Sequence, residues 1–268
     1  MSITSFIFRL AKKLPAKPAV IFCQFIVFGY LMIRKIYRDE IKINYQKIFN
    51  DYQKGFWVKQ SQRIGRNLGL MLQIGKNNKS LDKTVIYGEN IMCKVMGSNQ
   101  NAIVVSFHYG LWEYLPQIFQ KLGFETHIGI GIQPDKNLAI EFDNLRKNNG
   151  VKTLNTVWEM KNCLKQSTGQ TSSLRKKLLG FVLDNTSKTQ GLMLDKPWSG
   201  FSVLRTPFVL TKSTGVPILS MFCYGQDDRI IVDIQEVKSR VELGNQLHYY
   251  IRKNPAEWLF WGKNDSKN

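Results

Sequence analysis

Short β-branched runs alternate with longer helical patterns from residue 84 onward, and that alternation leaves few architectures open. "TVIYGEN" and "AIVVSF" read as strands ended by turn residues, and "LWEYLPQIFQKLG" follows as a helix. Then come "THIGIGI", the helical "KNLAIEFDNLRKNNG" closed by Gly150, "VKTL", the helical "VWEMKNCLKQ", a polar loop "STGQTSS", and three further strands, "LLGFVLDN", "VPILSMFCY" and "RIIVDIQEV". Strand, helix, strand in this order predicts an α/β fold whose central, mostly parallel sheet is flanked by helices. In such sheets, sites form beyond the carboxyl ends of the strands.

The first third of the chain differs in character. It carries fifteen Lys and Arg against Asp39, Glu40 and Asp51, so +12 of the net +18 sits in residues 1–80. Within it lies "PAVIFCQFIVFGYLMI", Pro18 to Ile33, bracketed by Arg9, Lys12, Lys13 and Lys17 before it and by Arg34, Lys35 and Arg38 after it. Sixteen apolar residues fall short of the roughly 20 that a spanning helix needs. A buried core helix and a cleaved signal peptide are the alternatives to a membrane anchor, but no small-x-small cleavage site follows the run. Cations on both flanks suit anionic headgroups, so an N-terminal helical membrane anchor is expected. "RKIYRDEIKINYQKIFNDYQKGFWVKQSQRIGRNLGLMLQIG" continues as two amphipathic helices. The organisation expected is residues 1–79 as basic anchoring helices and residues 80–268 as the α/β domain.

Cys23, Cys93, Cys163 and Cys223 are widely spaced among apolar neighbours, which predicts buried, reduced thiols. Three scattered histidines present no zinc-ligand spacing, and no metal or cofactor is called for. Basic charge favours polyanionic partners, here anionic membrane lipids. No nucleic-acid module accompanies it.

His108 ends the strand "AIVVSF", and Glu113 lies five residues on. On one helix these positions would be about 140° apart. With a helix starting near Leu111, Glu113 enters its first turn and points back at the imidazole, where a carboxylate also suits the helix dipole. His108 as general base with Glu113 as its orienting partner is the expectation. His127 and His248 have no acid at useful spacing.

"YGENIMCKVMGSNQNAIVVSFHYGLWE" resembles the glycine–glutamate stretch, strand and H-x4-D/E motif of the lysophospholipid acyltransferase superfamily, and within it the late lipid A (lauroyl/myristoyl) acyltransferases. "GFVLDNTSKTQGLMLDKPWSG", "TKSTGVPILSMFCY" and "IRKNPAEWLFW" follow in family order, so the resemblance runs from about residue 18 to residue 261. It implies transfer of an acyl chain from acyl carrier protein or coenzyme A to a hydroxyl of a membrane glycolipid or lysophospholipid, on the cytoplasmic face of a bacterial inner membrane. It implies His108 and Glu113 as the catalytic pair, and Arg146, Asp184 and Asn185 as substrate-binding positions. The backbone around Leu111 and Trp112 is then where an acceptor phosphate or oxyanion would sit. Lys188 and Arg205, in loops near the expected site, are further anion contacts; ordinary surface charge is the alternative for both and for Arg146, and a turn cap for Asp184. The chain departs from the family at Leu111, where the family has Asn, at Pro116, and in its final residues "FWGKNDSKN". A hydrolase cleaving the same thioester and a non-catalytic membrane-binding protein remain the other readings.

Overall fold

Every residue of the run "AIVVS" is buried, with Ile103 and Val105 facing one hydrophobic layer and Ala102 and Val104 the other. A strand covered on both faces needs no polar alternation, which is why this segment reads as a continuous apolar run. The computed structural model describes residues 3–76, 79–97, 101–131, 135–165, 176–184, 191–194 and 201–262.

Four helices come first: α1 (Ile3–Lys13), α2 (Ala16–Ile33), α3 (Lys35–Phe49) and α4 (Phe56–Met71). After the short α5 (Lys79–Asp82), the chain runs through β1 (Thr84–Tyr87), α6 (Glu89–Gly97), β2 (Ala102–Ser106), α7 (Leu115–Lys121), β3 (Glu125–Gly129), α8 (Lys136–Asn148), β4 (Lys152–Leu154) and α9 (Val157–Leu164). It continues as β5 (Lys177–Val182), a small hairpin of β6 (Gly191–Met193) and β7 (Ser202–Leu204), α10 (Thr206–Thr214), β8 (Ile218–Gln226), β9 (Arg229–Glu236) and α11 (Arg240–Lys253).

Seven of the nine described strands form one sheet in the order β1-β9-β8-β2-β5-β3-β4. Five strands, from β8 across to β4, run parallel; β9 turns back antiparallel to β8 and β1 pairs parallel with it. The mostly parallel sheet expected from the sequence is present, and its seven strands are the seven expected. The β6–β7 hairpin is additional. Three of the cysteines are buried as expected, but Cys93 is exposed. It lies on α6 between Met92 and Val95, which are buried and take the core face.

The N-terminal helices share the core of the α/β body. Ile41, Tyr45, Ile48 and Phe56 belong to the same hydrophobic cluster as Ile103, Phe222 and Trp258, and Tyr45 and Phe56 pack on Trp261 at ring separations of 5.4 and 5.8 Å. Against this layer lies α2, apolar enough in length and composition to enter a membrane, with only 17% of its residues buried. It exposes Ile21, Phe25, Tyr30, Met32 and Ile33.

The docked side of α2 is set by two glycines of α4. A side chain at Gly65 or Gly69 would overlap the backbone of Gln24 or Val20, so the two helices touch backbone to backbone. Gly29 on α2 faces open space instead. Gly65→Val is therefore expected to lower stability by about 1–3 kcal/mol through overpacking. Gly29→Ala is expected to be neutral or stabilising, since glycine inside a helix costs about 0.5–1 kcal/mol relative to alanine. Urea unfolding of both variants in detergent checks the pair, and equal destabilisation would contradict this packing.

Candidate active site

Parallel pairing of β2 with β5 places Ser106 opposite Val182, and Leu183 extends the ladder by donating to the Ser106 carbonyl at 2.9 Å. His108 and Asp184 each lie two residues beyond that matched pair, so the register delivers them to the same point past the strand ends. The His108 Nδ1 is 2.6 Å from Asp184 Oδ1. The His108 backbone N–H donates to both carboxylate oxygens, at 3.1 and 3.2 Å, and the Trp258 indole N–H donates to Oδ2 at 2.8 Å.

Asp184 is buried. Burial alone would push its carboxyl upward, but the His108 charge and the hydrogen bonds from His108 and Trp258 outweigh it and hold the group below its ordinary value. An ionised Asp184 accepting from Nδ1–H fixes the imidazole tautomer and leaves Nε2 as the unprotonated ring nitrogen. Trp112 and Phe260 hold the ring edge to face, with centroids 4.9 and 4.8 Å away. Its side chain is 16% exposed, so one edge remains open.

The structure therefore corrects the expected partner of His108. Glu113 lies in a 3₁₀ turn, Trp112–Tyr114, that precedes α7, and its carboxylate is bound by the Nε and Nη2 of Arg146 on α8. A single 3₁₀ turn rotates Glu113 away from the strand end, so the carboxylate that reaches the imidazole comes from the neighbouring strand. Burial works against the Arg146 cation, but Glu113 more than offsets this and raises the guanidinium above its ordinary value. Glu113 and Arg146, expected in separate roles, form one buried ion pair.

At the anion position expected around Leu111 and Trp112, the backbone before Trp112 is already engaged. The Leu111 N–H donates to the Cys223 carbonyl at 2.6 Å and the Gly110 N–H to the Glu257 carbonyl at 3.0 Å, so neither is free for a ligand. Leu111 itself is buried in the core, which accounts for an apolar residue there. Pro116 falls in the first two positions of α7, where its missing N–H costs no helix bond.

Arg205 is exposed at the start of α10. It follows β7, whose last residue, Leu204, donates to the Leu183 carbonyl at 2.9 Å, so it stands near the strand end that carries Asp184. Asn185 and Lys188 lie outside the described residues. Trp258 and Phe260, within the run "IRKNPAEWLFW", are site residues that no motif in the sequence singles out. A tryptophan has one N–H to satisfy when buried, and that was the available signal.

A small, mostly apolar cavity of about 50 Å³ meets this site only at Trp112, with neither His108 nor Asp184 in its lining. Val104, Leu115, Phe119, Leu178 and Phe181 line it, with the Glu113–Arg146 pair on one wall. Trp112 belongs both to this cavity and to the packing around His108. His127 also lines it. Burial holds that imidazole below its ordinary value, against a smaller upward pull from Glu125, so it faces the cavity as a neutral ring. No protein-family model matches the chain, and no curated protein matches it either.

Two stability measurements test this geometry. Glu113→Gln strands the buried Arg146 cation and is expected to cost about 3–5 kcal/mol, much of it recovered in Glu113→Gln/Arg146→Met. The stabilisation from Asp184 depends on its depressed folded value. It is complete above the ordinary carboxyl value of 3.8 and fades as pH falls below that towards the folded value. The stability gap between wild type and Asp184→Asn should then not shrink from neutral pH to about pH 5, and should close at lower pH. A gap that closes between pH 7 and 5 would contradict the assignment.

Proposed function

We propose that this protein is an acyltransferase moving a fatty acyl chain from an acyl thioester, carried on acyl carrier protein or coenzyme A, to a hydroxyl of a membrane glycolipid, such as a lipid A precursor, or of a lysophospholipid. The observation that carries the reading is the His108–Asp184 pair at the strand ends, sharing Trp112 with an apolar cavity. A carboxylate-oriented imidazole is the general base that hydroxyl attack requires.

In this mechanism the His108 Nε2 takes the proton of the acceptor hydroxyl as its oxygen attacks the thioester carbonyl. The new C–O bond forms, the C–S bond breaks as the tetrahedral intermediate collapses, and the imidazolium returns its proton to the departing thiolate. Asp184 stabilises the imidazolium and maintains the tautomer. Trp258 positions Asp184. The Glu113–Arg146 pair shapes the cavity wall.

Attachment to the cytoplasmic face of a bacterial inner membrane through the N-terminal segment accompanies this proposal. Its support is the exposed apolar side of α2 and the basic residues flanking it.

The test is acyl transfer by the full chain in vesicles, with lipid products read by mass spectrometry. His108→Ala is expected to abolish transfer, and Asp184→Asn to lower kcat by roughly two to four orders of magnitude with little change in KM. Wild-type turnover in His108→Ala would overturn the mechanism, and free fatty acid without an acylated lipid would identify a hydrolase. Acyl carrier protein is the expected donor, because an acidic protein engages a surface of net charge +18 more widely than coenzyme A does. Its kcat/KM should fall steeply as salt rises to about 0.15 M, where screening acts over about 8 Å. A salt-independent rate, or equal efficiency with a coenzyme A thioester, would contradict the donor preference.

A further inference from the structure

Lys59, Arg63 and Arg66 recur on one side of α4, spaced four and three residues apart. Arg63 and Arg66 line a cleft of about 300 Å³ with Tyr109, Tyr224, Gly225, Lys253 and the exposed rim residue Asp227. The same two arginines, with Lys253 and Asn254, line the adjoining cleft, which adds Lys59, Gln62 and Gln24. Gln24 and Gln62 then border a third cleft formed by Ile21, Phe25 and Phe28 of α2. Shared residues make these one groove, cationic at the end of β8 and apolar where α2 exposes its side chains.

The cations at the polar end are incompletely neutralised. Glu257, fully buried behind them, lies 2.7 Å from the Arg63 Nε and also accepts from Asn67. The Arg66 Nη1 is buried with no hydrogen-bond partner. Burial and the neighbouring Arg63 work against the Arg66 cation, with only partial relief from Glu257 and Tyr114. A Cβ at position 225 would stand 3.0 Å from that same Nη1, so Gly225 lets the guanidinium lie against the end of β8. Lys253 reaches over the Tyr224 ring at 5.4 Å. Four cations against Glu257 and Asp227 leave a net +2, the charge that a phosphomonoester dianion complements.

We infer that this groove holds one membrane lipid with a terminal phosphate, the phosphate on Arg63, Arg66 and Lys253 and a hydrocarbon chain against Ile21, Phe25 and Phe28. The inference rests on the proposed membrane attachment and is independent of acyl transfer. Glu257 and Trp258 are adjacent in sequence but face opposite ways, one to Arg63 and the other to Asp184, so the bound headgroup would sit on the far side of the segment that supports the catalytic pair.

The experiment compares flotation of the full chain with phosphatidylcholine vesicles containing phosphatidic acid or phosphatidylglycerol at equal surface charge, with native mass spectrometry to count retained lipid. Wild type is expected to prefer phosphatidic acid and retain one molecule. Arg66→Gln and Lys253→Gln should each lose roughly tenfold or more of that preference while still floating, as expected for charge-assisted contacts. Lys212→Gln, which removes the same charge from exposed α10 outside the groove, should keep it. Loss of one lysine's charge at position 253 leaves the partly buried α4 arginines intact, so this variant reads binding if Arg66→Gln fails to fold. Equal preference in the groove variants and wild type, or an equal loss in Lys212→Gln, overturns the site. Wild-type flotation without discrimination between the lipids overturns the groove and leaves membrane attachment standing. No flotation with any vesicle overturns the attachment reading and this inference with it. Binding of soluble pyrophosphate without lipid discrimination would make it a soluble-phosphate site and overturn the lipid assignment.

Discussion

A carboxylate removed from water costs several kcal/mol unless donors replace its hydration, and Asp184 is met by three donor groups from two distant segments. The ring and backbone of His108 come from the end of β2, Asp184 itself follows β5, and the Trp258 indole comes from the C-terminal segment. None of these neighbours is close to Asp184 in the chain. The ionised state of this one group depends on the sheet register and on the docking of residues 255–261, and the orientation of His108 depends on Asp184 in turn.

That C-terminal segment is held by the N-terminal helices. Gln60 donates to the Trp258 carbonyl at 3.1 Å and Asn44 to the Trp261 carbonyl at 2.7 Å, while Arg63 and Asn67 engage Glu257. The Leu259 N–H closes the arrangement on the His108 carbonyl at 2.9 Å. A continuous series of polar contacts thus joins α3 and α4 to the His108–Asp184 pair, and α4 is the helix against which α2 docks through Gly65 and Gly69. The exposed apolar side of α2 and the His108–Asp184 site are parts of one packed body.

The departure from the resembled motif at Leu111 also has a physical explanation. Leu111 occupies a core position whose N–H is already bonded to Cys223, so a polar side chain there would need a partner of its own. Gly110 has φ +64, and a Cβ would overlap the Cys223 carbonyl, so the chain between His108 and the 3₁₀ turn requires glycine at that point. These constraints turn the backbone sharply after His108 and leave Glu113 facing α8.

Much of this was legible in the sequence. Short β-branched and apolar runs ended by turn residues marked all seven strands of the sheet, and the charge-flanked run at Pro18–Ile33 marked the exposed apolar helix. His108 was identified by its place at a strand end, and Asp184 through the strand-end position that the resemblance implied. Which carboxylate faces the imidazole was not legible. Spacing within one segment pointed to Glu113, and only the parallel register of β2 with β5 decided for Asp184, because partners across a sheet are set by strand order and not by separation along the chain. The residue types, strand positions and apolar helix were determined locally by hydrophobic pattern and turn chemistry. The His108–Asp184–Trp258 contacts, the Glu113–Arg146 pair and the groove along α4 were decided by tertiary structure, because each joins side chains from elements that meet only once the sheet is assembled and both of its faces are covered.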